Sequence, residues 1–115
     1  VESKIEIKKE NLDAIFRGMF LVTTGPRGTL RSYFKDFPVN VAAKSGTAQQ
    51  SSKRSEHTTF VAFAPLEDPQ ISVCVIIPFG NGTTGPAPKV AKAAISEYLK
   101  LDYESELKSY DTLLH

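Results

Sequence analysis

Residues 57–64 and 71–77 carry apolar side chains on both faces of two predicted β-strands, and strands of that kind must be covered on two sides. In the first, Phe60 and Ala62 alternate with Val61 and Phe63. The second, Ile71-Ser72-Val73-Cys74-Val75-Ile76-Ile77, is almost wholly apolar. A third strand is predicted at 39–50. The polar loop 51–56 and the proline-bounded turn 65–69 separate the three, and links this short favour antiparallel neighbours in chain order. Cover is available from a helix over 11–22, with Leu12, Ile15, Phe16, Met19 and Phe20 at helical spacing, broken by Thr24-Gly25-Pro26-Arg27-Gly28. A second helix, over 87–99, is started by Pro86 and Pro88 and offers Val90, Ala91, Ala94, Ile95 and Tyr98 as its apolar stripe. The expected fold is α+β, a three-stranded antiparallel sheet with flanking helices. Two helices can cover one face of such a sheet but hardly both faces and the edges, so further cover is expected from outside these elements. The tail 100–115 mixes charge with Leu107, Leu113 and Leu114 and reads as a short helix or a frayed end.

Composition narrows the function classes. The 14 lysines and arginines stand against 13 acids, and a net charge of +1 gives no field to attract a polyanion, so no nucleic-acid partner is expected. Cys74 is the one cysteine, which excludes an internal disulfide and a multi-cysteine metal site; within its apolar run it reads as a small buried hydrophobe. No apolar stretch approaches the ~20 residues that span a bilayer, and Val1-Glu2-Ser3-Lys4 lacks a signal-peptide core. Any membrane anchor is therefore expected outside this chain. There is no internal repeat or low-complexity tract.

The most informative tetrapeptide is Lys44-Ser45-Gly46-Thr47, at the end of a predicted strand and followed by Ala48-Gln49-Gln50. Strand period places the Ser45 and Thr47 side chains on one face and Lys44 with Gly46 on the other. Two neighbouring hydroxyls on one face can clasp a carboxylate, and a glycine between them leaves room for a close approach from the other side.

With its flanks, Val41-Ala42-Ala43-Lys44-Ser45-Gly46-Thr47-Ala48-Gln49 resembles the strand that bears the K-T-G box of penicillin-binding proteins and class A β-lactamases. The resemblance extends along most of the chain. Residues 12–22 with Gly18-Met19 resemble the helix before that strand, and Gly28-Thr29 with Tyr33-Phe34 its lead-in in class B enzymes. His57-Thr58-Thr59-Phe60-Val61-Ala62-Phe63-Ala64-Pro65 and the apolar strand ending near Gly80-Asn81 resemble the next two strands, and residues 90–99 the closing helix. Ala42-Ala43 before the lysine is most similar to the elongation-type class B proteins that build the side wall of rod-shaped bacteria. Residues 1–115 thus resemble the C-terminal part of a penicillin-binding transpeptidase domain.

The resemblance implies part of a peptidoglycan D,D-transpeptidase, acting by serine acyl transfer on D-Ala-D-Ala stem peptides and inhibited by β-lactam antibiotics, at the extracytoplasmic face of the bacterial membrane. It implies that Lys44 orients the proton-shuttling serine of the S-x-N box, that the Ser45 and Thr47 hydroxyls hold the substrate carboxylate beside Gly46, and that the Thr47 N–H is an oxyanion donor. No metal or cofactor is implied. The nucleophile box S-x-x-K lies upstream of this strand in the family, so the chain is expected to lack its nucleophile, to be inactive alone and to work with the preceding portion of its own domain. The outer edge of 71–77 is expected to pair with a strand from that portion, and left open it is a template for self-association.

Two S-x-x-K strings do occur, Ser32-Tyr33-Phe34-Lys35 and Ser105-Glu106-Leu107-Lys108, and Ser109-Tyr110-Asp111 approximates the second box. Such a two-residue pattern arises by chance in about every second chain of this length. Ser32 falls in an irregular lead-in just before the lysine and Ser105 after the last helix, so neither has the family's chain order. Gly80-Asn81-Gly82-Thr83-Thr84-Gly85 sits where a phosphate loop would, but Pro86 and Ala87 stand where its lysine and hydroxyl belong. His57 has no ligand companions and reads as a partly exposed strand histidine. Glu67-Asp68, Glu104 and Glu106 read as solvated acids. The alternative to an enzyme segment is a non-catalytic module of the same superfamily that uses the hydroxyl-lined strand to sense β-lactams or hold a protein.

Overall fold

The three strands pair antiparallel in chain order, β1 (Ala42–Ala48), β2 (His57–Ala64) and β3 (Ile71–Ile77). The structure is a computed structural model and describes residues 3–49, 52–53, 56–80 and 85–101. Helix α1 (Lys9–Thr24) and the one-turn α2 (Arg31–Phe34) precede the sheet, and α3 (Ala87–Leu99) follows it. The register aligns Ala43 with Ala62 and Val73, and Ser45 with Phe60 and Val75. Cross-strand partners share a face. One face therefore carries Ala43, Ser45 and Thr47 with Thr58, Phe60, Ala62 and Ala64. The other carries Ala42, Lys44 and Gly46 with Thr59, Val61, Phe63, Cys74 and Ile76.

The first face holds the core. Phe60, Ala62 and Ala64 pack with Ala43, with Leu30 and Phe34 from the α2 region, and with Ala87, Ala91 and Ile95 of α3. Phe34 stacks on Phe60 at 6.5 Å between centroids, with planes only 6° apart. Helix α1 lies across the opposite face on the β1 side, where Phe16 meets Phe63 edge-on at 4.9 Å. Its last turn is tied to the lead-in of β1 by a buried hydrogen bond, Thr23 Oγ1 donating to Val41 O at 2.7 Å. A bond of that kind contributes about 1 kcal/mol net, and more is lost if its buried carbonyl is left bare.

Several expectations need correction. Helix 11–22 runs from Lys9 to Thr24, its last turn closed by Gly25 N–H donating to Leu21 O at 2.8 Å. Of the expected strand 39–50, whose last residue lies outside the described residues, the described part is paired from Ala42 to Ala48; Asn40 is drawn off the ladder, its carbonyl accepting from Leu66 N–H at 2.9 Å and its amide reaching Glu67. Ser32 lies in a helical turn and not in irregular chain: Tyr33 and Phe34 both donate to Leu30 O, which lets Leu30 and Phe34 reach the core.

The α3 stripe is rotated from the expected one. Ala87, Pro88, Ala91, Lys92, Ile95 and Ser96 face inward, whereas Val90 and Tyr98 are exposed. Two polar residues displace the apolar pattern because their needs are met locally. Ser96 Oγ donates to Lys92 O at 2.7 Å, and the Lys92 stem packs inward with its ammonium 5.9 Å above the Phe34 ring.

The expectation of two covered faces is met on one side only. On the α1 side Val61 is 41% and Ile76 65% exposed, and Cys74, expected to be buried, is exposed too. Met19, Val61, Phe63 and Cys74 line an open groove there of about 300 Å3. The reason is reach, since α1 lies on the β1 side of this face and leaves the β3 side bare. In the folded 115-residue chain, Cys74 is accordingly expected to react with a disulfide reagent such as Ellman's without denaturant. Protection of the thiol until unfolding would show the face to be covered.

The Asn40 amide donates to Glu67, and with a hydrogen bond to backbone it holds that carboxyl below the ordinary glutamate range. A depressed folded pKa means that the contact stabilises the fold above the unfolded pKa and is lost as pH falls through the folded one. An NMR titration should place the Glu67 carboxyl below its unfolded value, and Asn40→Ala should move it upward. An unmoved titration would dismiss the contact.

Candidate functional site

β1 is an edge strand among the described residues, so alternate main-chain N–H and C=O groups point away from β2 into the open. Lys44-Ser45-Gly46-Thr47 occupies its second half, the part that projects past the buried Ala42 and Ala43. Burial ends at Lys44, which faces the α1 side opposite Val61, itself 41% exposed.

Ser45 lies opposite Phe60 and Thr47 opposite Thr58. Both partners are 1% exposed. Ser45 is half-buried and Thr47 exposed, so the two hydroxyls stand in a row on a floor that cannot move easily. Two strand residues apart is about 7 Å. The arrangement suits a planar anion lying along the strand.

Lys44 is on the opposite face, across from Val61. Its side chain is exposed and its Nζ donates to the Ser45 carbonyl of its own strand. Gly46 is across from Thr59, and a Cβ built on Gly46 would stand 2.5 Å from Thr59 Oγ1. The close approach expected at this glycine is thus made, among the described residues, by a side chain of the neighbouring strand and not by another backbone.

The remaining candidates lie apart from these four or outside the described residues. Ser32 and Lys35 are exposed beside α2. Residues 81–84 of the glycine-rich loop, and Ser105, Lys108, Ser109, Glu104, Glu106 and His115 of the tail, lie outside the described residues. A cleft of about 500 Å3 at the end of α1, lined by Leu21, Val22, Arg27 and neighbouring glycines, contains none of the predicted site residues. One contact had no sequence signal: His57, partner of Ala48 at the far end of β1, accepts a hydrogen bond at Nδ1 from the Phe79 N–H at 3.2 Å, and the two rings are 4.6 Å apart.

Known proteins resemble this chain in sequence and in fold. Residues 1–98 match the family model described as the penicillin-binding protein transpeptidase domain. The chain is 34% identical over 98 residues to the peptidoglycan D,D-transpeptidase MrdA of Escherichia coli, covering 73% of this chain and 15% of that protein. It is 31% identical over 104 residues to penicillin-binding protein 2B of Streptococcus pneumoniae, covering 85% of this chain and again 15% of the relative. Among solved structures, PBP2 of Pseudomonas aeruginosa superposes with a TM-score of 0.77 at 35% identity, over 89% of this chain and 22% of that one. The chain therefore spans only a small part of the proteins it matches.

The Gly46–Thr59 approach gives a test of the site's packing. Gly46→Ala should destabilise the fold by about 1–3 kcal/mol, the usual cost of overpacking. Thr59→Ala, which removes the colliding oxygen, should relieve much of that cost in the double variant. Additive unfolding free energies around this cycle would show that the two positions do not meet.

Proposed function

The chain belongs to the class B, elongation-type penicillin-binding transpeptidases, and on that premise we propose that it supplies one wall of a peptidoglycan D,D-transpeptidase site, with Lys44, Ser45 and Thr47 as its working residues. The observation that carries the proposal is the edge strand itself: two hydroxyls on one face, a lysine on the other and free main-chain donors between them.

In the proposed reaction a serine hydroxyl from the preceding part of the domain attacks the carbonyl of the penultimate D-Ala. The carbonyl oxygen becomes an oxyanion, the terminal D-Ala leaves with a proton on its nitrogen, and an ester remains on the serine. The amine of a neighbouring stem peptide then attacks that ester and regenerates the serine. Ser45 and Thr47 hold the terminal carboxylate of the donor through their hydroxyls. The Thr47 N–H donates to the oxyanion, and a donor so placed is worth about 2.7–4 kcal/mol in the transition state. Lys44, turned from the Ser45 carbonyl toward the second-box serine, orients the group that carries the proton. A β-lactam enters by the same route, since its ring amide and carboxylate match the same donors.

This reading names the remaining partners. The preceding portion of the domain brings the nucleophile and a strand for the outer edge of β3, which has one partner among the described residues. No helix among the described residues is long and apolar enough to cross a membrane. Since the substrate lies outside the cytoplasmic membrane, the site faces that side.

Gel fluorescence after treatment with a fluorescent penicillin tests the proposal on this chain, on the preceding S-x-x-K-bearing portion and on the two mixed. Label is expected only in the mixture, and only on the preceding portion. Thr47→Val, which removes the hydroxyl and spares the N–H, and Lys44→Ala should each weaken it about tenfold or more, the worth of one charge-assisted hydrogen bond. Label on this chain alone, abolished by Ser32→Ala or Ser105→Ala, would overturn the assignment.

A further inference from the structure

Phe79 lies two residues beyond the end of β3 with φ at 54°, in the left-handed region that a non-glycine residue occupies only at a cost. Such a conformation persists only where the surroundings hold it. Here the holder is His57, through the hydrogen bond from Phe79 N–H to Nδ1 at 3.2 Å and the ring contact at 4.6 Å. The next residue shows what the turn achieves. A Cβ on Gly80 would stand 2.9 Å from Thr58 Oγ1 and 2.9 Å from Ile77 Cγ2, so the main chain at Gly80 is seated directly on Thr58. Thr58 is the register partner of Thr47, and His57 that of Ala48.

We propose that His57 is a positioning residue for acyl transfer: by holding Phe79 in its left-handed conformation it keeps Gly80 on Thr58, and so fixes the end of β1 from which Thr47 presents its N–H and hydroxyl. The inference rests on the transpeptidase reading above. His57 touches no reacting atom; it acts through the turn and through the β1–β2 pairing. Accepting at Nδ1 requires a lone pair there. An asparagine carries its amide oxygen at the same branch point from Cγ and can accept the same N–H. A leucine of similar bulk cannot.

The test is the rate of acylation of the complete transpeptidase carrying this segment by a fluorescent penicillin, with hydrogen exchange at the Phe79 amide followed in parallel. His57→Ala is expected to slow acylation about three- to tenfold, the value of one lost hydrogen bond, and to speed exchange at Phe79. His57→Asn should recover most of both, and His57→Leu neither. Should the alanine variant fail to fold, the asparagine and leucine variants still decide the matter. Recovery by leucine and not by asparagine would mean that His57 only packs, and would overturn the proposal; so would an alanine variant that acylates at the unsubstituted rate. If the unsubstituted enzyme takes no label, the transpeptidase reading itself fails, and the inference with it.

Discussion

The register between β1 and β2 is the constraint on which the rest of the structure depends. Strand side chains alternate, so a slip of one residue would move Ser45 and Thr47 to the α1 side and bring Lys44 over the core. Two contacts forbid it. Ala43 and Ala62 face each other within the core, and both are almost wholly buried. Three residues along the sheet, Thr59 Oγ1 comes so close to position 46 that a Cβ there would collide with it. The small residues of β1 are therefore register devices first. The face on which the hydroxyls appear is their consequence.

The uneven cover of the sheet has a common origin with the edge position of β1. The acyl transfer proposed for β1 would have it present main-chain donors to a substrate, which requires one side of it to remain unpaired. Stability must then come from the face behind it, where Phe60 carries Phe34 and α3 seals the rest. The opposite face, with Val61, Cys74 and Ile76 open, is not a surface that a chain keeps in water without cause.

Much of this was legible in the sequence, and the failures have physical reasons. The strands at 57–64 and 71–77 and the helix at 87–99 follow from β-branched runs and from prolines that punctuate the chain, features that act locally. The Ser45/Thr47 face follows from a period of two. What could not be read is whatever depends on partners distant in sequence. The inward face of α3 was misjudged because Lys92 and Ser96 count as polar, although one lays its stem over Phe34 and the other bonds within its own helix. Cys74 was misjudged because an apolar run signals a need for cover and not the presence of it. Phe79 gave no sign at all, since glycine is the residue that announces a positive φ and here a histidine twenty-two positions earlier takes its place.

The proposed oxyanion donor sharpens this point, because it belongs to the main chain. Any residue but proline at position 47 would carry the same N–H, so the side chains of the motif do not create that donor. In the proposed reaction they hold the substrate while the sheet holds the donor. Placement to within a few tenths of an ångström is then a property of β1's neighbours: Thr58 and Phe60 beneath, Thr59 behind Gly46, and the turn at Phe79–Gly80 pressed against Thr58. On this proposal a motif of four residues marks where the chemistry sits, but the accuracy of that chemistry is distributed over β2 and the turn after β3, among residues that no motif names.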